Sequence, residues 1–401
     1  MASTISDRFS AGEQGLGYLY QGRFALLQIL KLDESNSVFI EKDDDVDLVD
    51  ANGRKTLGSL KHRAVGNRLT DLSTDFWKSV RIWLARYRRD GGVQSNLRFF
   101  LFTTSTVGST SFLQSFTPGA SATALSRTAQ TAAALARATT ELIKDVGAEL
   151  RGLSDAEQDD FFSRISIFEE GPRIDELPAL IMEHHMRSVR REFRLHVFER
   201  LEGWWNDQVI NLLAGKRKEP LAGSEVSDKL SAFADEYKAD NLPITFQRAV
   251  PEQAPDAETD PRLFVMQLRE IGISTTRIRM AILDYYRAFE QRSAWARQQL
   301  LNADEMELYE DRLIGEWSRY KEILFEDLGP ESAETKLLAA GKELYKWAEM
   351  ESDHLKIRER VTEPYVIRGG FHILANERPA PRVHWHPRFL ERVGALLGSA
   401  E

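Results

Sequence analysis

Residues 40–62 have the sequence IEKDDDVDLVDANGRKTLGSLKH, and this stretch decides the fold of the N-terminal part of the chain. Apolar residues and acids alternate in its first half, which predicts a strand with two unlike faces. Asp50–Gly53 predicts a hairpin turn, because Asn and Gly tolerate positive φ. The chain then returns as a second strand that ends in Lys61. We therefore expect Lys61 to approach Asp45 and Asp47 across the two strands.

The residue types in this stretch suit one kind of chemistry. Carboxylates are ligands that Mg²⁺ prefers, and a lysine beside them can assist a water molecule that attacks phosphorus. Taken alone, the spacing favours a hairpin whose acids are solvated. The pattern by itself therefore leaves a metal-dependent nuclease and a solvated hairpin open.

The flanking elements supply a core for this hairpin. Residues 15–32 predict an amphipathic helix that carries Gln21, and residues 70–89 predict a second one. Residues 97–104, LRFFLFTT, are almost wholly apolar, which indicates a buried central strand. The order helix, strand, strand, helix, strand predicts an α/β core over about residues 1–110, and this core favours the nuclease interpretation.

The composition excludes several classes of protein. The chain has 401 residues, no cysteine and a formal net charge of -9. Without cysteine there can be no disulfide or thiolate metal site, which fits a reducing cytoplasm. The negative charge provides no global attraction for nucleic acid, so DNA contacts must come from local basic patches. There is no apolar run of about 18 residues and no signal peptide, so we expect a cytoplasmic protein without a membrane partner.

Beyond residue 110 the chain is predicted to be mostly helical. Residues 249–261 contain three prolines and four acids and are the best candidate for a linker. We therefore expect a first domain over residues 1–250, which is the core with a helical extension. A helical C-terminal domain with a docking or regulatory role is expected over residues 251–401.

A long helix or a pair of helices is predicted for residues 177–213. Four arginines in it have the spacing i, i+3, i+4, i+7 and would share one face: Arg187, Arg190, Arg191 and Arg194. Such a face is either solvated and balanced by glutamates or a stripe that contacts a DNA backbone or an acidic partner. The solvated face is the favoured interpretation.

The C-terminal segment, residues 364–387, interrupts the helical pattern with two adjacent glycines and four prolines. We expect tight, non-helical backbone at Gly369-Gly370 and a closing helix over residues 389–397. The segment also holds three histidines, His372, His384 and His386. Zinc is one interpretation. Because there is no cysteine and no clear fourth ligand, packed histidines around Trp385 are favoured.

Three strings in the N-terminal part resemble a known nuclease family. They are GYLYQ at residues 17–21, IEKDDDV at residues 40–46 and LKH at residues 60–62. They resemble the nuclease domain of bacterial antiphage effectors, which belongs to the PD-(D/E)XK superfamily. The resemblance implies a restriction-endonuclease-like α/β core, followed here by a mostly α-helical remainder.

Strings in the C-terminal part resemble a second family. DYYRA at residues 284–288, YVIRG at residues 365–369 and VHWHP at residues 383–387 are similar to the C-terminal domain of ABC three-component defence systems. The combination resembles the effector subunit of Lamassu-type systems. It implies a DNA endonuclease that acts on double-stranded DNA in antiphage defence. The nuclease would be held silent with an SMC-like ATPase of the Rad50 type and a small third subunit, and would be activated by release and self-assembly into a homo-oligomer.

The same resemblance implies roles for individual residues. The catalytic acid falls on Asp45 or Asp47, and Lys61 matches the lysine that orients water and neutralises charge. Gln21 matches a helix position that serves as a ligand or a positioning group. Asp45, Asp47 and Glu41 are the expected ligands of Mg²⁺ or Mn²⁺.

Ser59 departs from the family pattern, which usually has Glu or Gln two residues before the lysine. A serine hydroxyl is a weaker, neutral ligand, and Glu41 is the carboxylate best placed to compensate. The departure favours an alternative to the Mg²⁺-dependent endonuclease, a catalytically weak adaptor with a nuclease fold that scaffolds the ATPase. A third possibility, which does not depend on Ser59, is a helical interaction protein with no role on DNA.

Overall fold

The computed structural model describes residues 11–301, 303–389 and 391–392. The chain divides into two compact units between Ala234 and Asp235. The division therefore precedes the linker predicted at residues 249–261. The segment before that linker is held in the second unit because the Pro243 carbonyl accepts hydrogen bonds from Gln291 Nε2 at 3.1 Å and from Trp295 Nε1 at 2.8 Å.

The first unit combines helices with a mixed β-sheet. Its strands are β1 (Ser37–Ile40), β2 (Val46–Val49), β3 (Lys55–Lys61), β4 (Arg68–Leu69), β5 (Leu97–Thr103), β6 (Thr106–Val107), β7 (Ile165–Phe168) and β8 (Leu221–Ala222). Its helices are α1 (Ala11–Lys31), α2 (Thr74–Arg89), α3 (Ala124–Leu135), α4 (Glu141–Leu150), α5 (Asp155–Ser163), α6 (Leu177–His185), α7 (Arg194–Leu213) and α8 (Gly223–Asp235).

Six of these strands form one sheet in the order β7-β5-β3-β2-β1-β8. Strands β3, β5 and β7 are parallel neighbours, whereas β1, β2 and β3 pair antiparallel, as do β1 and β8. Strands β4 and β6 pair separately. The predicted hairpin turn is confirmed, with Gly53 at φ 73° and its N–H bonded to the Asp50 carbonyl at 2.9 Å. The predicted buried strand at residues 97–104 is β5, in the interior of the sheet.

The single strand expected in the first half of residues 40–62 is wrong. Strand β1 ends at Ile40 and β2 begins at Val46, and these two residues are antiparallel partners. The acids between them form the connection, which is stabilised by side chains instead of by Gly or Pro. Asp47 accepts the N–H groups of Asp43 and Asp44, at 3.0 and 3.1 Å. The alternation of apolar and acidic residues continues across this turn, which the Asp47 carboxylate caps. The sequence pattern therefore looks like that of one continuous strand.

Helices α1 and α2 pack on opposite faces of the sheet. Trp83 of α2 stacks on Phe99 of β5, with ring centroids 5.6 Å apart, and both side chains are fully buried. Phe24 of α1 contacts Phe102 on the other face, at 4.8 Å between centroids. Each fully buried side chain of this size contributes about 1.5–3 kcal/mol relative to exposure. This packing fixes the hairpin between the two helices.

The pair of helices allowed for residues 177–213 is confirmed, but the shared arginine face is not. Helix α6 ends at His185 and α7 begins at Arg194, with non-helical backbone over residues 186–190. The four arginines of this region therefore do not form one helix face. Arg187 and Arg194 instead donate to the carbonyls of Glu183 and Val189. Strands β4, β6, β7 and β8 were not predicted.

The second unit is helical in its described residues. Its helices are α9 (Leu263–Glu270), α10 (Thr275–Arg297), α11 (Ala303–Phe325), α12 (Glu334–Met350) and α13 (Pro364–Leu374). The closing helix expected at residues 389–397 lies mostly outside the described residues. No helix within the described part of the chain is long and apolar enough to cross a membrane.

The expectation of non-helical backbone at Gly369-Gly370 is wrong, since both glycines lie inside α13. They allow α13 to approach its neighbours closely. A Cβ at Gly369 would overlap the Asp284 carbonyl oxygen and the Ala288 side chain of α10. A Cβ at Gly370 would lie 2.8 Å from Arg292 Nη2. The glycine pair is therefore a helix-crossing point and not a turn.

Candidate functional site

Four polar side chains from three elements meet where β2 begins and β3 ends. Gln21 comes from α1, Glu41 and Asp45 come from the β1–β2 connection, and Lys61 is the last residue of β3. We call this group the Asp45 cluster. Lys61 Nζ lies 3.6 Å from Asp45 Oδ2, and that oxygen also accepts the Leu60 N–H at 2.6 Å. The site thus depends on the end of β3 extending past its pairing with β2.

The Gln21 amide joins the two carboxylates of the Asp45 cluster. Its Nε2 donates to Asp45 Oδ1 at 3.1 Å, and the Gln21 side chain also acts on the Glu41 carboxylate through a hydrogen bond. Its Oε1 is buried and accepts no hydrogen bond from the described residues. Burial raises the pKa of Glu41, the Gln21 hydrogen bond opposes that shift, and the Asp45 charge adds to it. The two carboxylates therefore lie close enough to repel each other.

Glu41 is held in an unusual backbone conformation. Its φ is 55°, in the left-handed region that non-glycine residues rarely occupy. Such a conformation costs about 1–3 kcal/mol and is concentrated at functional sites. The β1–β2 connection therefore positions the Glu41 carboxylate by holding the Glu41 backbone in an energetically unfavourable conformation.

Ser59 positions Lys61 in this structure. Its Oγ accepts a hydrogen bond from Lys61 Nζ at 2.8 Å and another from Ser79 Oγ of α2 at 2.7 Å. Both serines are buried. The Ser59 hydroxyl therefore positions the Lys61 ammonium near the start of β2.

Asp47 does not join the Asp45 cluster, contrary to the expectation that both aspartates approach Lys61. It is fully buried and forms an ion pair with Lys55 Nζ at 3.0 Å. Asp43 is ion-paired to the same lysine and to Arg89, the latter at 2.8 Å. We call Asp43, Asp47 and Lys55 the Asp47 cluster. Since Asp47 also caps the β1–β2 connection, its role here is structural.

Asp44 is a buried acid that the sequence pattern did not single out. Its Oδ2 accepts the Trp83 Nε1–H at 2.6 Å, and its Oδ1 accepts the Asp45 N–H at 3.0 Å. Burial, with the neighbouring Asp45 charge, raises the pKa of Asp44 to about 7. The Trp83 contact anchors the connection to α2 and thereby fixes the backbone of Asp45.

The oxygen ligands of the Asp45 cluster fit Mg²⁺ or Mn²⁺. Mg²⁺ commonly uses one or two carboxylates and keeps several waters. Glu41 and Asp45 supply two carboxylates, and the unpartnered Gln21 Oε1 supplies a neutral oxygen. The Asp45 cluster nevertheless holds only these two carboxylates. Over residues 11–301, 303–389 and 391–392, no group of three or more His, Cys, Asp or Glu is arranged to hold a metal ion.

The C-terminal histidines are packed side chains in this structure. His372 lies between the rings of Phe264 and Tyr345, and burial lowers its pKa to about 3. His384 contacts the His386 carbonyl through Nδ1 at 3.3 Å, and burial lowers its pKa to about 4. Both imidazoles are therefore neutral at pH 7, and they serve the core of the second unit.

Residues 264–393 match the family model of C-terminal domain 7 of the ABC-three component (ABC-3C) systems. The match covers most of the second unit and supports membership of the chain in an ABC-3C system. No curated protein matches the chain. Among solved structures, the chain is similar to the Cap4 SAVED/CARF-domain containing receptor of Moraxella osloensis. That similarity has 12% identity over 69% of this chain and 68% of the other, with a TM-score of 0.34.

Proposed function

We propose that this chain is the metal-dependent DNA endonuclease of an ABC-3C antiphage system, built on a PD-(D/E)XK core. The observation that carries the proposal is the Asp45 cluster, in which two carboxylates, an amide and a lysine converge from three elements. The order of α1, β1, β2, β3, α2 and β5 around a mixed sheet supports the same class of fold. The ABC-3C domain supports the cellular setting.

The contacts of each side chain support the proposed roles. Asp45 and Glu41 would hold Mg²⁺ or Mn²⁺ with help from Gln21 Oε1. When bound, the metal supplies Lewis-acid polarisation of the scissile phosphate and lowers the pKa of a bound water. The Lys61 ammonium, held by Ser59 Oγ, orients the attacking water and stabilises charge that develops on the phosphate. Glu41 would provide the second carboxylate, in place of the Glu or Gln that the superfamily usually has at the position of Ser59.

The proposed partners rest on the resemblance to Lamassu-type effectors, with support from the ABC-3C match in the second unit. Proteins of a three-component system act together, and we propose an SMC-like ATPase of the Rad50 type and a small third subunit as partners. Release from them and self-assembly would activate cleavage of double-stranded DNA. Because the chain is acidic overall, assembly would also raise avidity for DNA by multiplying local basic patches.

The Asp45→Asn variant tests the proposal directly. We expect the purified full-length chain, assayed over a range of concentrations, to nick or linearise a supercoiled plasmid in Mg²⁺ or Mn²⁺ and to be inactive in EDTA. Asp45→Asn should cleave the plasmid at least about 100-fold more slowly, because it removes the carboxylate that contacts both Gln21 and Lys61. Absence of metal-dependent cleavage by the wild type at every concentration would reject the endonuclease.

Glu41→Gln tests whether Glu41 compensates for Ser59. We expect cleavage to fall about 10- to 100-fold, with a higher Mg²⁺ requirement, since a neutral amide replaces a carboxylate ligand. Glu170→Gln is a matched control, because Glu170 has nearly the same left-handed backbone, at φ 54°, and lies on an exposed loop. Cleavage by Glu41→Gln at the rate of the parent would remove Glu41 from the site.

A catalytically weak adaptor is the second candidate. Two observations favour it: Ser59 stands where a carboxylate or amide is usual, and the described residues hold no three-acid metal group. An adaptor would bind the ATPase subunit equally well with or without Asp45 and would show no metal-dependent cleavage. Co-purification of the ATPase with the wild type and with Asp45→Asn, beside the plasmid assay, separates the two candidates.

A further inference from the structure

A groove of about 440 Å³ opens at the N-terminal ends of the parallel strands β3, β5 and β7. Arg98 and Phe100 of β5 line it together with Ser166 of β7, which is the register partner of Phe100. These residues share one face because side chains two apart on a strand point the same way. Lys61 lies at the other end of β3, about 20 Å away at about 3.3 Å per residue. The groove is thus distinct from the Asp45 cluster.

Three arginines line the groove: Arg54, Arg98 and Arg164. Arg164 is committed to the protein, since it pairs with Asp160 at 2.8 Å and donates to the Ser95 carbonyl at 2.6 Å. The acid in the groove is thereby neutralised. Arg54 and Arg98 are exposed, and within the described part of the chain neither side chain forms an ion pair or a hydrogen bond. Two positive charges therefore remain available to a ligand.

The groove offers groups that fit both the phosphates and the base of a nucleotide. A guanidinium fork matches phosphate oxygens in a bidentate geometry. Phe100 is half-buried and offers aromatic surface on which a base can stack. Other lining residues, such as Asn96 and Ser166, are polar and uncharged. We propose that this arginine groove binds the phosphate groups of a nucleotide ligand, either a free nucleotide or a segment of single-stranded nucleic acid.

The test is a binding measurement on the full-length chain in EDTA, so that no cleavage occurs. One arm titrates a fluorescein-labelled 12-nucleotide single-stranded DNA by anisotropy, and the other titrates AMP by calorimetry. Arg54→Ala/Arg98→Ala should weaken binding at least about tenfold. For the oligonucleotide, the slope of log K against log salt should also fall by roughly 1.4, since each lost phosphate contact removes about 0.7.

Lys216→Ala/Lys218→Ala is the charge-matched control, because both lysines are exposed and precede β8 at the opposite edge of the sheet. This control should bind both probes like the wild type. Arg54→Lys/Arg98→Lys keeps the charge but loses the fork, and intermediate affinity is expected. It also replaces the alanine pair if that variant fails to fold.

The two arms distinguish the source of the phosphate. If Arg54→Ala/Arg98→Ala loses affinity for the oligonucleotide alone, the ligand is a nucleic-acid strand. If the same variant loses affinity for AMP, the ligand is a free nucleotide. The proposal is overturned if the wild type binds neither probe, or if the arginine and lysine pairs change affinity equally. Because no cleavage is measured, failure of the endonuclease proposal leaves this result intact.

Discussion

Lys61→Ala is expected to reduce metal-dependent DNA cleavage by about 10²- to 10³-fold, the effect of removing one electrostatic stabiliser of the transition state. Its effect on stability should be small. Lys61 pairs at 3.6 Å with Asp45, whose side chain is 21% exposed, so the carboxylate left behind is still partly solvated. The measurements are the initial rate of plasmid cleavage at saturating Mg²⁺ and the melting temperature of the same preparation.

Lys55→Ala is the matched control for Lys61→Ala. The two lysines lie at opposite ends of β3, share one face, and have the same side-chain exposure of 19%. The partners differ, because Lys55 pairs with Asp47, whose side chain is fully buried. Removing Lys55 leaves that charge unpaired, which costs about 3–5 kcal/mol. We therefore expect Lys55→Ala to lower the melting temperature clearly while the folded fraction still cleaves DNA.

The two variants together separate catalysis from folding. Lys61→Ala should lose activity and keep its melting temperature, and Lys55→Ala should do the reverse. Equal cleavage rates for Lys61→Ala and the wild type would remove Lys61 from the mechanism. A large loss of stability in Lys61→Ala would instead make the Lys61–Asp45 contact a structural ion pair.

The sequence predicted most of the elements around the site, because their signals are local. Strand β5 is recognisable from an apolar run, the hairpin from Asn and Gly, and α2 from its apolar period. The predicted residues Gln21, Glu41, Asp45 and Lys61 come together in the structure. The approach of Lys61 to Asp45 follows from the strand–turn–strand pattern, whereas Gln21 and Glu41 were indicated by the resemblance to the nuclease family.

The features that the sequence did not predict depend on tertiary partners. The β1–β2 connection contains no Gly or Pro, and its turn is stabilised by the carboxylates of Asp44 and Asp47. Asp47 has the right spacing to reach Lys61, but Lys55 is its partner. No local pattern distinguishes two lysines on the same face of one strand, so the division into two clusters appears only when the strands are paired.

The role of the Gly369-Gly370 pair also depends on a tertiary partner, the neighbouring helix α10. Gly369→Ala is expected to destabilise the chain by about 1–3 kcal/mol or more, the usual cost of overpacking. The added Cβ would overlap backbone, the Asp284 carbonyl of α10, which cannot move aside as a flexible side chain could. Calorimetric melting of the full chain, with proteolysis of residues 264–393 as a second readout, measures the effect.

Gly315→Ala gives the opposite expectation and serves as the control. Gly315 lies inside α11, is exposed, and has open space where a Cβ would be placed. Alanine is favoured over glycine in a helix interior by about 0.8–1 kcal/mol, so this variant should be slightly more stable than the parent. Helix propensity alone predicts the same sign for both substitutions. Opposite signs therefore require that α13 crosses α10 at Gly369, whereas stabilisation by both would mean that the two helices are not in close contact there.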